Sequence, residues 1–178
     1  ESVYVSSKKD YGRSVQQTSD GGYIITGMAY SYSSKGDVYL IKTENGHILV
    51  DAGMPGDPAK LDEVFSLAGA DSQSIDLIIV THGHMDHMGL LAYAREAIGA
   101  KVLSHQSLSE KLTNGEVQAA VAQTSFGHLL NFMTGILELT SGTDIEGVTP
   151  DILVEGNFDL SEYGISGQVI HTPGHSQG

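Results

Sequence analysis

Cysteine is absent from the chain. That absence removes disulfide staples, thiolate zinc ligands and a cysteine nucleophile. Cationic side chains are scarce: nine Lys and Arg stand against 22 Asp and Glu, for a formal net charge of -13. Nucleic-acid binding rests on a basic footprint, so it is excluded as an overall role. No unbroken apolar stretch approaches the roughly 20 residues of a membrane-spanning helix. No charged-then-apolar leader opens the chain, which begins at Glu1 rather than Met. The expectation is a soluble protein without a membrane role. A chain lacking Cys suits either side of a membrane, and the cytoplasm is slightly favoured. Proline is rare, at four residues, whereas glycine is plentiful at 22, which points to many tight turns. With 178 residues the chain can bury a full core as one domain with a small appendage.

That appendage is expected over residues 1–36, which are rich in Ser, Tyr and Gly. Ser14 to Thr18 and Tyr23 to Thr26 read as two strands joined through Ser19-Asp20-Gly21-Gly22. A third strand is expected over Met28 to Ser34. Residues 14–27 resemble one blade-type repeat of β-propeller-like proteins. A lone repeat cannot bury its own face, so it should pack on the main domain or on another chain.

From residue 37 the pattern becomes α/β. Asp37 to Thr43 and His47 to Asp51 form a hairpin across Asn45-Gly46. Asp57-Pro58 reads as N-cap and first helical position. A helix with Leu61, Val64, Phe65 and Ala68 on one face follows, closed by Gly69. Ile75 to Val80 is a buried strand. A helix over Asp86 to Ile98 is expected to place Leu90, Leu91, Ala94 and Ile98 on one face, with Gly99 as its cap. Lys101 to Ser104 is a strand, and Ser107 is expected to cap a short helix ending near Asn114-Gly115. Glu116 to Leu139 is helix-prone and reads as core packing, or else as a pocket wall or an oligomer contact. Strands return at 152–154, 157–160 and 165–170.

The chemistry concentrates in Thr81-His82-Gly83-His84-Met85-Asp86-His87, directly after the buried strand. Imidazole and carboxylate are donors that suit zinc and its first-row neighbours. His82 and His84 are two residues apart, so on an extended segment both rings can grip one ion. Asp86 and His87 leave from a different direction and can serve a second ion. His175, in His171-Thr172-Pro173-Gly174-His175-Ser176, can complete a three-histidine site. An open fourth position would hold water, whose pKa zinc lowers toward ~7. Thr81 and Ser176 are backbone-capping candidates. His47, His105 and His128 are isolated and read as ordinary polar residues, and His171 as a local hydrogen-bonding residue.

The motif His82-x-His84-x-Asp86-His87, preceded by Leu49-Val50-Asp51-Ala52-Gly53 and followed by Thr172-Pro173-Gly174-His175-Ser176, resembles the metallo-β-lactamase superfamily. The resemblance covers roughly residues 37–178. It implies a four-layer αββα sandwich with metal at one edge between the sheets. His82, His84 and His175 would be first-metal ligands, Asp86 and His87 would belong to a second metal, and Asp51 would support the ligand histidines from behind. The family also draws a bridging Asp and a further His from beyond the Thr-Pro-Gly-His motif. This chain ends at Gly178, so the second half of the sandwich is expected to be incomplete, leaving an apolar face for a second copy or partner chain to cover.

The implied function is a metal-dependent hydrolase in which a metal-bound hydroxide attacks a small ester, thioester, lactone or β-lactam. Asp86 would be the catalytic carboxylate and zinc the metal, as one or two ions, with iron or manganese as alternatives. A histidine at position 84 argues against the di-iron flavoprotein branch. A mononuclear iron persulfide dioxygenase and a catalytically inactive assembly module are the competing expectations.

Overall fold

The central strand β5 (Ile75–Val80) explains why the sequence shows an apolar run there, interrupted only by the exposed Asp76. In the computed structural model, which describes residues 11–17, 23–28, 38–118, 145–174 and 176, it is flanked on both sides and buried on both faces. A strand in that position cannot alternate apolar and polar residues. Ile78 and Val80 face one side and Leu77 and Ile79 the other, all buried.

In chain order the described elements are β1 (Tyr11–Gln17), β2 (Tyr23–Met28), β3 (Tyr39–Lys42), β4 (His47–Val50), α1 (Ala59–Leu67), β5, α2 (Met85–Met88), α3 (Leu91–Ile98), β6 (Lys101–His105), α4 (Ser109–Asn114), β7 (Ile152–Val154), β8 (Phe158–Asp159) and β9 (Gln168–Val169). β1 and β2 form an antiparallel pair with a register shift between Gly12 and Ser14. The main sheet has the order β3-β4-β5-β6-β7. Only β3 and β4 are antiparallel; β5, β6 and β7 continue parallel to β4. β8 and β9 form a separate antiparallel pair. Among the described residues no helix is long and apolar enough to cross a membrane.

One sheet face packs against helices. Leu49, Ile78, Val80 and Val102 meet Leu61 and Phe65 of α1, Leu91, Ala94 and Ile98 of α3, and Leu112 of α4. Burying each large side chain of this kind is worth about 1.5–3 kcal/mol. The opposite face was expected to lie open. Instead Ile48, Leu77, Ile79 and Leu103 are buried in a second cluster with Leu160 and Ile165. The loops around β8 and β9 therefore cover the middle of that face.

Several local expectations are corrected. The helix expected over 86–98 is two helices, because the chain meets a neighbour at Gly89. A Cβ there would stand 2.1 Å from the Pro55 backbone nitrogen, and the Gly89 N–H donates to Gly53 O at 2.8 Å. Ser107 does not cap α4 with its side chain. The His105 ring accepts the Ser107 N–H at 3.2 Å and contacts its hydroxyl at 2.8 Å. Glu116 to Gln118 are not helical, and the rest of the expected helix, 119–139, lies outside the described residues. The strand expected over 165–170 shrinks to Gln168–Val169, because Gly167 N–H turns back to Ile165 O at 2.9 Å. Of the third N-terminal strand expected over Met28 to Ser34, Met28 ends β2 and residues 29–34 lie outside the described residues, as does His128.

β7 is fastened by an ion pair. Both Arg95 Nη atoms donate to the Asp151 carboxylate, at 2.8 and 2.9 Å, and Nη1 also reaches Thr149 O. The same carboxylate accepts the Val102 N–H at 2.8 Å. The Arg95 guanidinium holds the Asp151 carboxyl below the usual carboxylate range. A lowered folded pKa means stability that is present above the ordinary Asp pKa, about 3.9, and is lost as pH falls through the folded value. Asp151→Asn should cost about 0.5–1 kcal/mol at pH 7, a modest figure because the pair is partly exposed. In urea unfolding, the gap to wild type should narrow below about pH 4. Gly89→Ala should cost about 1–3 kcal/mol, because the methyl group must displace the Pro55 backbone; thermal unfolding measures it.

Candidate metal centre

The loop after β5 is held from below by one segment. Past β4 the chain runs through Asp51, Ala52 and Gly53, all buried. Asp51 N–H continues the sheet ladder to Ile79 O at 2.8 Å, and Ala52 N–H donates to His87 O at 2.7 Å. With the Gly53–Gly89 bond, these contacts tie α2 and the loop to the end of β4. Asp51 does this with φ at +60°, the sole non-glycine residue with positive φ among the described residues. Asp tolerates that region better than most residues.

The Asp51 side chain, 2% exposed, is the floor of the site. Its Oδ1 accepts the Thr81 N–H at 2.8 Å, and its Oδ2 accepts the Thr81 hydroxyl at 2.7 Å. His87 Nδ1 donates to the same Oδ2 at 2.7 Å. A buried carboxylate is tolerated when donors satisfy it in this way. His87 thereby turns its Nε2 toward Asp86, whose Oδ2 stands 3.7 Å away.

On the other side of the loop His82 Nε2 lies 3.1 Å from His84 Nδ1, with the rings edge to face and 4.5 Å between centroids. The His82 ring also lies over that of His87, at 3.9 Å between centroids. His84 has the extended backbone expected of the loop, φ -78° and ψ 152°. Two nitrogens each roughly 2.0–2.1 Å from a tetrahedral zinc stand about 3.3 Å apart. The His82 and His84 nitrogens are close to that separation. The donor set is chemically suited to a divalent first-row ion. Among the described residues, no three donors already converge as a complete ligand set.

The structure thus brings together five of the six expected site residues, His82, His84, Asp86, His87 and Asp51. His175 lies outside the described residues. Ser176 is buried, and its carbonyl accepts the Gly174 N–H at 3.0 Å. His171, expected to bond locally, stacks on His105 at 3.8 Å between centroids. His47 contacts Ser74 Oγ through Nδ1 at 2.9 Å, away from the cluster.

Two residues escaped the sequence reading. Thr81 uses its side chain, beyond the backbone cap expected of it. Gln118 donates its N–H to Gly83 O at 2.6 Å, and its side-chain oxygen lies 3.4 Å from Gly83 N. The signal for Thr81 was its place beside His82; for Gln118 there was none, because only tertiary folding brings it to the loop.

The model of the metallo-beta-lactamase superfamily matches residues 34–178. A metallo-beta-lactamase fold-containing protein of Sulfurisphaera tokodaii is 31% identical over 144 residues, covering 79% of this chain and 49% of its own. A hydroxyacylglutathione hydrolase of Anaeromyxobacter dehalogenans is 39% identical over 74 residues, covering 42% of this chain and 27% of its own. Among solved structures, a class B3 di-zinc metallo-beta-lactamase from an Alaskan soil metagenome superposes with a TM-score of 0.58 at 22% identity. That match covers 79% of this chain and 47% of the lactamase. The chain therefore spans half or less of the length of these relatives. With the buried strand, the His-x-His-x-Asp-His loop and the carboxylate beneath it in place, the chain belongs to the metallo-beta-lactamase superfamily.

Proposed function

We propose that this chain carries metal-dependent hydrolysis of a small ester, thioester, lactone or β-lactam. The observation that carries the reading is the pairing of donors above one buried carboxylate: His82 Nε2 with His84 Nδ1, and His87 Nε2 with Asp86 Oδ2. His82 and His84 would hold one divalent cation, with His175 as the third ligand expected from sequence. Asp86 and His87 would serve a second. Zinc suits these nitrogen and oxygen donors best, and iron or manganese could use the same set. When bound, such an ion supplies Lewis acidity toward a carbonyl oxygen.

The chain's own residues supply orientation and proton handling. Asp51 fixes the His87 ring, so its Nε2 faces the donor cluster. The Asp86 carboxylate is 41% exposed, so Oδ2 can meet solvent and substrate. In this reading Asp86 would take a proton from an attacking water. The excess of acidic residues supports a small substrate over a polyanion. The thioester option is favoured by similarity to the hydroxyacylglutathione hydrolase, and the β-lactam option by fold similarity to the di-zinc lactamase.

Metal analysis of wild type and His84→Ala, with a panel of these substrates, tests the proposal. Wild type should bind zinc and hydrolyse at least one class. His84→Ala should lose metal and roughly 10²-fold or more of the rate. Equal metal content and equal rates in the two proteins would overturn it.

A further inference from the structure

Thr81 sits between the buried carboxylate and His82, and its hydroxyl has one proton to give. At 2.7 Å that proton goes to Asp51 Oδ2, which as a carboxylate oxygen can only accept. The contact between Thr81 Oγ1 and His82 Nδ1, at 3.0 Å, must then run the other way, with the imidazole donating. His82 therefore carries its proton on Nδ1 and keeps its lone pair on Nε2, the atom turned toward His84. His87 is set by the same oxygen directly: its Nδ1–H donates to Asp51 Oδ2, so its lone pair also lies on Nε2.

We infer that Thr81 is a positioning residue. Its hydroxyl relays the Asp51 carboxylate to His82, so that one buried oxygen sets the ring orientation and tautomer of both His82 and His87. The inference rests on the metal-binding reading above for its purpose, but not for its geometry. A ligating imidazole needs its other nitrogen engaged by a hydrogen-bond partner, and losing that partner typically weakens metal binding 10–100-fold. His87 meets the carboxylate itself, whereas His82 is one hydroxyl too far away and needs Thr81 as the link. Thr81 is otherwise exposed, so a valine there removes the hydroxyl without opening a cavity in the core.

The test compares the full chain as wild type, Thr81→Val and Thr81→Ser. Long-range proton–nitrogen NMR on the metal-free protein reads the imidazole tautomers, and Zn2+ titration against a chromophoric chelator reads affinity. In wild type and Thr81→Ser, His82 should be protonated on Nδ1. In Thr81→Val it should become a mixture of tautomers while His87 keeps its Nδ1 proton. Zinc affinity should fall about 10–100-fold in Thr81→Val and return to near wild type in Thr81→Ser. An Nε2-protonated His82 in wild type overturns the inference. So does an unchanged His82 tautomer in Thr81→Val. If wild type binds no zinc while His82 is protonated on Nδ1, the metal-binding reading fails and the relay stands.

Discussion

A carboxylate taken almost wholly out of water must be met by donors, and the way Asp51 is met determines the shape of the site. Three donors converge on it: the Thr81 N–H, the Thr81 hydroxyl and His87 Nδ1. The two Thr81 donors come from the loop after β5, and His87 comes from α2 at the end of that loop. Satisfying the buried charge and folding that loop are therefore the same event. The backbone does the rest, because Asp51 N–H extends the ladder to β5 and Ala52 N–H catches His87 O. Without the carboxylate, a row of imidazoles at a strand end would have little to hold their rings in one arrangement.

The surrounding architecture delivers Asp51 to this position. β4 is clamped between β3 and β5, and its Ile48 and Leu49 are fully buried on opposite faces. The strand is stiff up to Val50, and the chain then turns through φ +60° at Asp51. Sparsely populated backbone of this kind costs on the order of 1–3 kcal/mol and persists where the surroundings over-determine it. Here the ladder bond to Ile79, the three side-chain acceptor contacts and the α2 contact do so. Helices α1 and α3 close the core beneath the loop, and Gly89 lets the Met54-Pro55 backbone come close enough to lock α2 in place.

Much of this was legible in the residues. The apolar run at 75–80 announced a strand buried on both faces. Asn45-Gly46 announced the β3–β4 hairpin, and the dense His and Asp loop announced a donor cluster. These signals are local, so a sequence displays them. What was not legible depends on contacts that only the folded chain makes, some between distant segments and some two residues apart. The break at Gly89 comes from Pro55, the His105 cap from a ring folding back onto Ser107, and the shortened β9 from a tight turn at Gly167. The covered second sheet face depends on Leu160 and Ile165, which no periodicity links to β5. At the site, the residue types were readable and the direction of each hydrogen bond was not. Thr81 looked like a cap because only the folded chain shows Asp51 beneath it.

Membership of the metallo-beta-lactamase superfamily accounts for the donor types, and the buried carboxylate accounts for their arrangement. The most direct test of the latter is Zn2+ affinity in Asp51→Asn. Asparagine has the same size and also tolerates positive φ. However, a side-chain amide cannot accept from Thr81 N–H, the Thr81 hydroxyl and His87 Nδ1 together, because one of its two ends is a donor. Zinc binding should weaken at least about tenfold in a protein that still folds. Wild-type zinc affinity in a folded Asp51→Asn chain would contradict the account.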